Sequence, residues 1–276
     1  MRHYRAWVRG RRAAEAPLYT LAVTSLSAVV ITKNEESRIE ECLRSLSFCD
    51  EILVIDSGSS DRTCERAAES GARVIVNVPW PGFAAQRNFG FDAATHDWIL
   101  FLDADEVVTP ELRREIRRLA ANGFTKAGYR TPRVAHYLGR WIRATDWYPD
   151  RKLRLFDRRR GRCRPALVHE VVTVEGSVGR LRGELLHFPY RDISDHLRTI
   201  DEYTTLWSRQ ALESGRRVWP LELCVAPAWA FLRNYLLRRG LLLGRVGLEI
   251  SLLNSYYTFL KLAKLIERRE AEPASR

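Results

Sequence analysis

Cysteine is scarce in this sequence and follows no recognisable pattern. The five cysteines are an odd number, are scattered along the chain and include no C-x-x-C pair. This argues against a disulfide framework and against a structural zinc site. It favours a chain that works in the reducing cytoplasm.

Long hydrophobic runs are also missing. No stretch reaches the roughly 18 consecutive apolar residues that are needed to span a bilayer. The nearest approach, residues 218–232, is interrupted by Glu222 and by two prolines. The sequence therefore predicts no clear membrane span.

The N-terminus lacks the sustained apolar segment of a secretory signal. A basic stretch over residues 1–12 precedes a fairly apolar run over residues 17–32, which superficially imitates a signal peptide. Threonines and serines break this run, and its end is better interpreted as the first strand of a domain. We interpret residues 1–24 as a basic N-terminal extension.

Composition and length are those of a globular protein. Of the 276 residues, 46% are hydrophobic and 29% are charged, which excludes wholesale disorder and collagen-like repeats. The length suggests one large domain or a domain with an appendage. The formal net charge of +11 favours an anionic partner, such as nucleic acid, an acidic membrane surface or a phosphorylated substrate.

Short apolar runs alternate with helical patterns from about residue 26 to residue 118. The runs at 26–31, 51–56, 73–76 and 98–102 are typical of buried strands. This βαβ alternation predicts an α/β fold with a mostly parallel sheet and helices on both faces. Ligands of such sheets bind beyond the carboxyl ends of the strands, and polar residues of this segment cluster there.

Two aspartates follow the strand at 98–102, in the sequence Asp103-Ala104-Asp105-Glu106. Hard divalent cations prefer oxygen ligands, and Mg²⁺ or Mn²⁺ commonly links one or two carboxylates to substrate phosphates. The simpler alternative is a solvated acidic turn that caps the helix after Thr109. The buried strand before the aspartates favours a metal site.

Two further segments offer polar groups at the same edge of the predicted sheet. The second strand ends at Asp56, whose carboxylate could accept a hydrogen bond from the N3–H of a uracil. The simpler alternative is a turn in which Asp61 caps the next helix. Arg87 suits a diphosphate or a base edge because its planar guanidinium makes paired contacts, although an arginine considered alone is more often a surface residue.

Together these segments resemble family 2 of the glycosyltransferases. The resemblance covers about residues 26–190 and is carried by four motifs: Thr32-Lys33-Asn34-Glu35, Val54-Ile55-Asp56-Ser57-Gly58-Ser59-Ser60-Asp61, Gly82 with Arg87-Asn88, and Leu102-Asp103-Ala104-Asp105-Glu106. Within the family, the chain resembles bacterial enzymes that add glucose to the lipopolysaccharide inner core. Many family members have Asp-Asp after the second strand, where this chain has Asp56-Ser57.

The resemblance implies a GT-A fold, a nucleotide-sugar donor and a divalent metal, Mn²⁺ or Mg²⁺. It implies that Asp105 binds the metal directly and that Asp103 lies near the ribose and the metal. His169 and His187 are candidates for a third metal ligand. The residues that it implies in nucleotide-sugar binding are Thr32, Glu35 and Asp56 at the nucleoside, Arg87 at the base or diphosphate, and Asp103.

The family also implies a general base. Its members invert the anomeric carbon, so a carboxylate must deprotonate the acceptor hydroxyl on the face opposite the leaving UDP. Our candidate is Glu170, which strand-like residues flank; an ion pair with nearby arginines is the simpler role for it. Asp146 and Asp150, in the aromatic segment 145–150, are the runners-up.

The function that follows is transfer of a hexose, with glucose as the favoured sugar, from a UDP-sugar to lipopolysaccharide core or another cell-envelope glycan. We expect an anionic glycan or glycolipid acceptor, no nucleic-acid partner, and a peripheral position on the inner face of the bacterial cytoplasmic membrane. Two alternatives remain: a nucleotidyltransferase that makes activated sugars, and a basic nucleic-acid-binding protein. Neither the Gly-rich, lysine-bearing loop of the first nor a recognised motif of the second is evident.

The chain divides into three expected parts. These are the extension 1–24, a glycosyltransferase domain 25–215 with a nucleotide-sugar half (25–122) and an acceptor half (123–215), and a helical membrane-associating tail, 216–276. The tail has an apolar stripe interleaved with basic residues, which is typical of a helix that lies on a membrane or packs on its own domain. The stripe consists of Leu241, Leu248, Leu252, Phe259, Leu262 and Ile266.

Arginines are dense between residues 151 and 164. A solvated, charged hairpin is the simpler interpretation of this segment. A patch that binds an anionic acceptor or the anionic leaflet is the functional one.

Overall fold

The computed structural model describes residues 23–164 and 171–271. The strands are β1 (Leu26–Thr32), β2 (Glu51–Asp56), β3 (Arg73–Val76), β4 (Trp98–Asp103), β5 (Glu106–Val108), β6 (Gly128–Tyr137), β7 (Arg140–Ile142), β8 (Asp150–Asp157), β9 (Gly161–Arg164), β10 (Val171–Val174), β11 (Val178–Arg180) and β12 (Leu185–His187). The α-helices are α1 (Ile39–Ser45), α2 (Thr63–Glu69), α3 (Phe83–Ala93), α4 (Pro110–Asn122), α5 (Ile193–Glu213), α6 (Glu222–Leu232) and α7 (Arg245–Ala271). A π-helical turn (Arg233–Leu237) and a 3-10 turn (Gly240–Leu243) connect α6 to α7.

One large sheet has the strand order β3-β2-β1-β4-β8-β6-β12-β5, and β7 and β11 also pair with β6. The neighbours β3, β2, β1 and β4 are parallel. Strand β8 runs antiparallel to both β4 and β6. The predicted α/β fold with a mostly parallel sheet is confirmed, and β9 and β10 form a separate hairpin.

Strand β1 is buried on both faces. Val30 packs in one core cluster with Ile39 of α1 and Ile116 of α4. Its neighbour Val29 packs in the other cluster with Phe91 of α3. A central parallel strand needs a continuous apolar run because helices cover it from both sides, and this is the arrangement that the sequence predicted.

The predicted helical tail, 216–276, is divided within its described part. It consists of α6 and α7, separated by a turn in which Arg239 has a φ of 59° and Gly244 a φ of 61°. These left-handed conformations end one helix and redirect the chain into the next. A Cβ atom on Gly247 would lie 1.8 Å from the carbonyl oxygen of Gly240, so the turn packs directly against the first turn of α7.

Contacts near both ends of α7 attach it to the rest of the chain. Near its start, Ile250 packs in one apolar cluster with Tyr137 and Ile142. Near its end, the ammonium group of Lys264 lies 2.7 Å from a carboxylate oxygen of Asp201 in α5. Helix α5, expected to close the domain 25–215, thus packs along the predicted tail.

The apolar stripe expected in the tail has two environments. The first four residues, from Leu241 to Phe259, are between 39% and 54% exposed, whereas Leu262 is 1% exposed and Ile266 is partly buried. The stripe therefore packs inward only near the end of α7. No helix in the described ranges is long and apolar enough to cross a bilayer.

Candidate active site

The carboxyl ends of β1, β2 and β4 lie side by side. In the register of the sheet, Thr32 is level with Asp56, and Ile31 is level with Asp103. Parallel strands bring their last residues to one edge, where the following loops form a ligand crevice. The structure thus brings Thr32, Asp56 and Asp103 together, and the Thr32 hydroxyl is buried without a partner in the described chain.

The loops that follow β1 and β2 are hydrogen-bonded to each other. The backbone N–H of Asn34 donates to the Ser59 hydroxyl at 2.8 Å, and the Asn34 side-chain oxygen accepts from the Ser60 N–H at 2.8 Å. The N–H of Glu35 donates to the Thr63 hydroxyl at 2.8 Å. Sequence reasoning missed these supporting hydroxyl groups, although the serine-rich run after β2 was a signal for them.

Asp56 is 1% exposed and is enclosed by its own turn. Its Oδ2 accepts the N–H groups of Gly58 and Ser59, both at 2.8 Å, and its Oδ1 accepts the Ser59 hydroxyl. The carboxylate therefore shapes the turn after β2, as the simpler interpretation of the sequence had it. Because a carboxylate oxygen can accept more than one hydrogen bond, a contact with a uracil stays a prediction.

Asp103 lies between two arginines. Its Oδ2 accepts from Arg154 at 2.6 Å, and its Oδ1 lies 3.4 Å from Nη2 of Arg87. Burial raises the pKa of Asp103, but the charges of Arg154 and Arg87 outweigh burial and hold this pKa well below its usual value. Asp103 is therefore ionised at neutral pH, and Arg87 lies beside it.

A buried chain of alternating charges continues from Asp103. Arg154 also donates to Glu106, which is 0% exposed and accepts from Arg133 at 3.0 Å. Arg133 pairs in turn with Asp150 at 2.6 Å. Sequence reasoning missed these roles of Arg154, Glu106 and Arg133, although an arginine within the apolar run of β8 signals a buried partner.

Asp105 has one carboxylate oxygen available. Its Oδ2 lies 3.2 Å from Nε2 of His187, whereas its Oδ1 is buried and has no hydrogen-bond partner in the part of the chain that the structure describes. A buried carboxylate oxygen without a partner is costly. A cation at this position would remove that cost.

The donor atoms at this edge fit a divalent cation. Carboxylates are preferred ligands of Mg²⁺ and Mn²⁺, and imidazole is an accepted one for transition metals. Within residues 23–164 and 171–271, no three His, Cys, Asp or Glu side chains are grouped so that they hold a metal by themselves. Oxygen atoms of a bound ligand would have to complete the coordination of a cation at Asp105 and Asp103.

Glu35 lies in the electrostatic field of the same aspartates. Burial and then the charge of Asp105 raise the pKa of Glu35 to about 7, while Arg191 and Arg38 oppose this rise. A cation bound beside Asp105 would favour the ionised form of Glu35. The charge on Glu35 is therefore coupled to that on Asp105, and a role of Glu35 at the nucleoside stays a prediction.

The runner-up bases are occupied by cations. Asp150 lies 2.6 Å from Arg133 and 3.0 Å from Lys152. Burial raises the pKa of Asp150, but these two charges outweigh burial and lower it. A general base needs an accessible lone pair and a pKa near the working pH, and Asp150 meets neither requirement well.

Asp146 belongs to the attachment of the C-terminal segment. Its carboxylate accepts from Arg233 and lies 3.5 Å from Nε of Arg238, and its backbone N–H donates to Asn234 at 2.8 Å. These partners lie in and next to the turn after α6. The preferred base, Glu170, and the candidate ligand His169 lie outside the described residues.

Several arginines between 151 and 164 are used within the fold. Arg158 donates to the carbonyl oxygens of Phe91 and Ala94 at 3.0 and 2.7 Å. It thereby satisfies carbonyl groups at the end of α3, which no helical N–H reaches. Because Arg154 is also buried, the predicted patch for an anionic acceptor is smaller than the sequence suggested.

The family model described as "Glycosyl transferase family 2" matches residues 27–174. The chain belongs to glycosyltransferase family 2. This segment holds the strand ends, both interlocked loops and the two aspartates of the candidate metal site. The family and the GT-A fold that the motifs predicted are confirmed for this glycosyltransferase.

Relatives of this family 2 glycosyltransferase match it over most of its length. It is 34% identical over 250 residues to the lipopolysaccharide core biosynthesis glycosyltransferase LpsC of Rhizobium meliloti. The match covers 88% of this chain and 92% of LpsC. The chain is 29% identical over 254 residues to the uncharacterized glycosyltransferase RT0209 of Rickettsia typhi, with 88% and 87% covered.

A solved structure matches a smaller part of the chain. It is glucosyl-3-phosphoglycerate synthase from Mycobacterium tuberculosis in complex with Mn²⁺, uridine diphosphate and glucosyl-3-phosphoglycerate. The identity is 28% and the TM-score is 0.34. The match spans 41% of this glycosyltransferase and less than half, 44%, of the solved chain.

Proposed function

We propose that this family 2 glycosyltransferase moves glucose from a UDP-sugar to lipopolysaccharide core, or to another cell-envelope glycan, with inversion at the anomeric carbon. The observation that carries the proposal is the buried Oδ1 of Asp105, which has no partner in the described chain. Asp105 lies two residues beyond the end of β4, whose last residue is the ionised Asp103. Such a site fits a diphosphate that arrives with a divalent cation. The identity with LpsC supports the acceptor class.

Asp105 and Asp103 would hold Mn²⁺ or Mg²⁺, with His187 as the candidate third ligand. A cation bound there would neutralise the charge that develops on the departing diphosphate. The guanidinium of Arg87 would contact the diphosphate or the base from the other side of Asp103. The nucleoside would lie at the strand ends, against Thr32, Glu35 and Asp56.

Glu170 is our proposed general base. Inversion requires a carboxylate that takes the acceptor proton on the face opposite the leaving UDP. Arg164 of β9 pairs with Val171 of β10, and β9 is tied to α3 because the Cys163 N–H donates to Asn88 at 2.9 Å. Asn88 is adjacent to Arg87 in α3, so the described hairpin residues on either side of the segment with Glu170 are anchored beside Arg87, which supports the proposal.

We further propose that the enzyme is peripheral on the inner face of the bacterial cytoplasmic membrane. A lipopolysaccharide-core acceptor carries a lipid anchor and is confined to a membrane. The exposed leucines of α7, such as Leu248 and Leu252, lie on the same helix as Arg245, and apolar and basic groups together suit an interfacial helix.

The test is transfer by the full chain to a truncated inner-core lipopolysaccharide, with a panel of nucleotide sugars and Mn²⁺. We expect UDP release and a product heavier by one hexose with UDP-glucose, and a β linkage by NMR. Chelation of the metal should stop UDP release and product formation. Transfer from a non-UDP sugar, or retention of the α configuration, would overturn the corresponding part of the proposal.

A further inference from the structure

Helix α6 exposes an apolar stripe along one side, separate from the stripe of the tail described above; in this subsection 'the stripe' means the one on α6. Apolar side chains recur every three or four residues through α6 and the π-helical turn, as residues on one helical face do. Together with a tryptophan just before the helix, they are between 46% and 75% exposed: Trp219, Leu221, Val225, Trp229, Leu232 and Leu236. Single exposed apolar residues are normal on a protein, but a continuous stripe of this kind marks an interaction surface.

The opposite side of α6 is fixed to α7. Pro227 and Ala230 are buried there, and the Ser255 hydroxyl of α7 donates to the carbonyl oxygen of Pro227 at 2.9 Å. The stripe therefore faces away from α7. Trp219 and Trp229 line the same shallow cleft of about 460 Å³ at its start.

Basic residues border this stripe. Residues 216–249 contain six arginines and two acidic residues, Glu222 and Glu249, which pair with Arg216 and Arg245. Asp146 pairs with two more of the arginines, which leaves Arg217 and Arg239 as excess positive charge. Lys261 of α7 has no carboxylate within ion-pair distance in the described chain, and its ammonium lies 5.1 Å from the centroid of the Trp207 ring. The guanidinium carbon of Arg216 lies 5.7 Å from the centroid of the same ring.

These cations are close enough to repel one another. Burial lowers the pKa of Lys261, and the charges of Arg216 and Arg233 lower it further. An anionic group between Lys261 and Arg216 would relieve this repulsion and would lie beside the start of α6. A partner that suits this region would therefore combine an apolar phase with negative, phosphate-like charge.

We propose that the exposed face of α6 is a docking surface for an anionic phospholipid bilayer. The stripe enters the boundary between headgroups and acyl chains, and Arg216 and Lys261 take lipid phosphates. Trp219 and Trp229 suit this depth because indole rings favour the membrane interface. The inference rests on the peripheral location proposed above and names the surface that produces it.

A second copy of this chain fits the same face less well. A twofold dimer places the same patch of both subunits in contact. The basic residues of this segment outnumber the acidic ones, so a dimer would bring two surfaces of excess positive charge together. A phospholipid surface supplies the missing negative charge.

The experiment is flotation of the full chain with vesicles, comparing wild type, Val225→Glu and Val178→Glu. Val225 lies in the stripe, and Val178, an exposed valine of β11, is the matched control. Wild type and Val178→Glu should float with phosphatidylglycerol vesicles and not with pure phosphatidylcholine. Val225→Glu should bind at least tenfold more weakly, and Lys261→Ala should weaken the binding and reduce its dependence on salt.

Equal flotation of Val225→Glu and wild type, or no flotation of wild type, would overturn the proposal. A wild-type dimer in sedimentation that becomes monomeric in Val225→Glu would overturn it in favour of a second copy. UDP release from UDP-glucose with Mn²⁺, measured without vesicles, should be equal in all four proteins. Failure of that reaction in wild type would count against the proposed donor and leave the flotation result standing.

Discussion

Arg154 and Glu106 form a buried ion pair next to the first aspartate of the candidate metal site. Arg154 is 5% exposed and Glu106 is 0% exposed, and the same guanidinium also binds Asp103. Arg154 of β8 thus neutralises both Glu106, which lies in the core, and Asp103, which lies at the candidate metal site. The position of Asp103 is fixed by the core before any ligand arrives.

We expect Arg154→Met to lower the free energy of unfolding by about 3–5 kcal/mol, because it removes the buried cation that Glu106 and Asp103 share and leaves each with one more weakly placed arginine. Urea unfolding measures this change. Arg159→Met in the turn that follows β8 is the control, since the Arg159 side chain is 63% exposed and its ion pairs are worth about 0–1 kcal/mol. Equal unfolding midpoints for the two variants would contradict the role assigned to Arg154.

Asp105→Asn should abolish transfer and leave the fold intact. If the available oxygen of Asp105 holds the cation, its loss removes several kcal/mol of stabilisation of the departing diphosphate, a reduction of roughly 10²-fold or more in turnover. Calorimetry should show that Mn²⁺ no longer strengthens UDP binding. Asp92→Asn, at an exposed aspartate of α3, should behave as wild type, and normal turnover by folded Asp105→Asn would refute the metal assignment.

The part of the site that could be predicted lies in the local βαβ pattern. Thr32, Asp56 and Asp103 end strands that are close in sequence and parallel, so the periodicity of the chain was enough to bring them to one edge. Arg154 could not be placed in this way. Its strand, β8, joins β4 antiparallel across some 50 residues, and no local pattern specifies such a distant pairing.

In the tail, too, the local sequence pattern could not predict tertiary packing. Its apolar periodicity predicted helices correctly, but it could not predict which stripe faces the protein. Leu262 is buried because α5 packs there, whereas Leu252 is 54% exposed. Both residues fit one amphipathic pattern, and only the tertiary packing of α5 and α7 distinguishes them.

Glu170→Gln should bind UDP normally and lose about 10²–10⁴-fold in turnover, the usual worth of general-base assistance. Asp150→Asn should affect turnover less, because the Asp150 carboxylate is already engaged by Arg133 and Lys152. Parallel measurements of UDP affinity and turnover separate binding from proton transfer. An active Glu170→Gln enzyme together with an inactive Asp150→Asn or Asp146→Asn enzyme would move the base to segment 145–150.

Mild acid should destabilise the fold through His196 of α5. Its ring stacks on Tyr190 at 4.0 Å, and its Nδ1 lies 2.9 Å from the Tyr137 hydroxyl. Burial lowers the pKa of His196 from 6.5 to about 4, against a smaller opposing effect of Asp195. Between these values the unfolded chain binds a proton that the folded chain does not, so stability falls as the pH falls.

Thermal unfolding at pH about 7 and about 5 measures this effect. The wild-type midpoint should fall more between the two conditions than that of His196→Gln, which cannot take up the proton. The comparison between proteins removes the contribution of the carboxylates, which titrate in both. An identical fall in the two proteins would show that His196 does not carry the pH dependence.

Gly247→Ala should disrupt the turn between α6 and α7. The new Cβ would lie 1.8 Å from the carbonyl oxygen of Gly240, and backbone atoms cannot move aside as a side chain can. Overpacking of this kind costs about 1–3 kcal/mol or more, and hydrogen exchange over residues 233–250 should quicken. The control is Gly71→Ala, where φ is +82° and no atom lies within 4 Å of the new Cβ; it should cost about 1 kcal/mol and leave exchange in the tail unchanged. Wild-type exchange in Gly247→Ala would mean that α7 can shift away from the turn, and the close packing described here would then not be required for the fold.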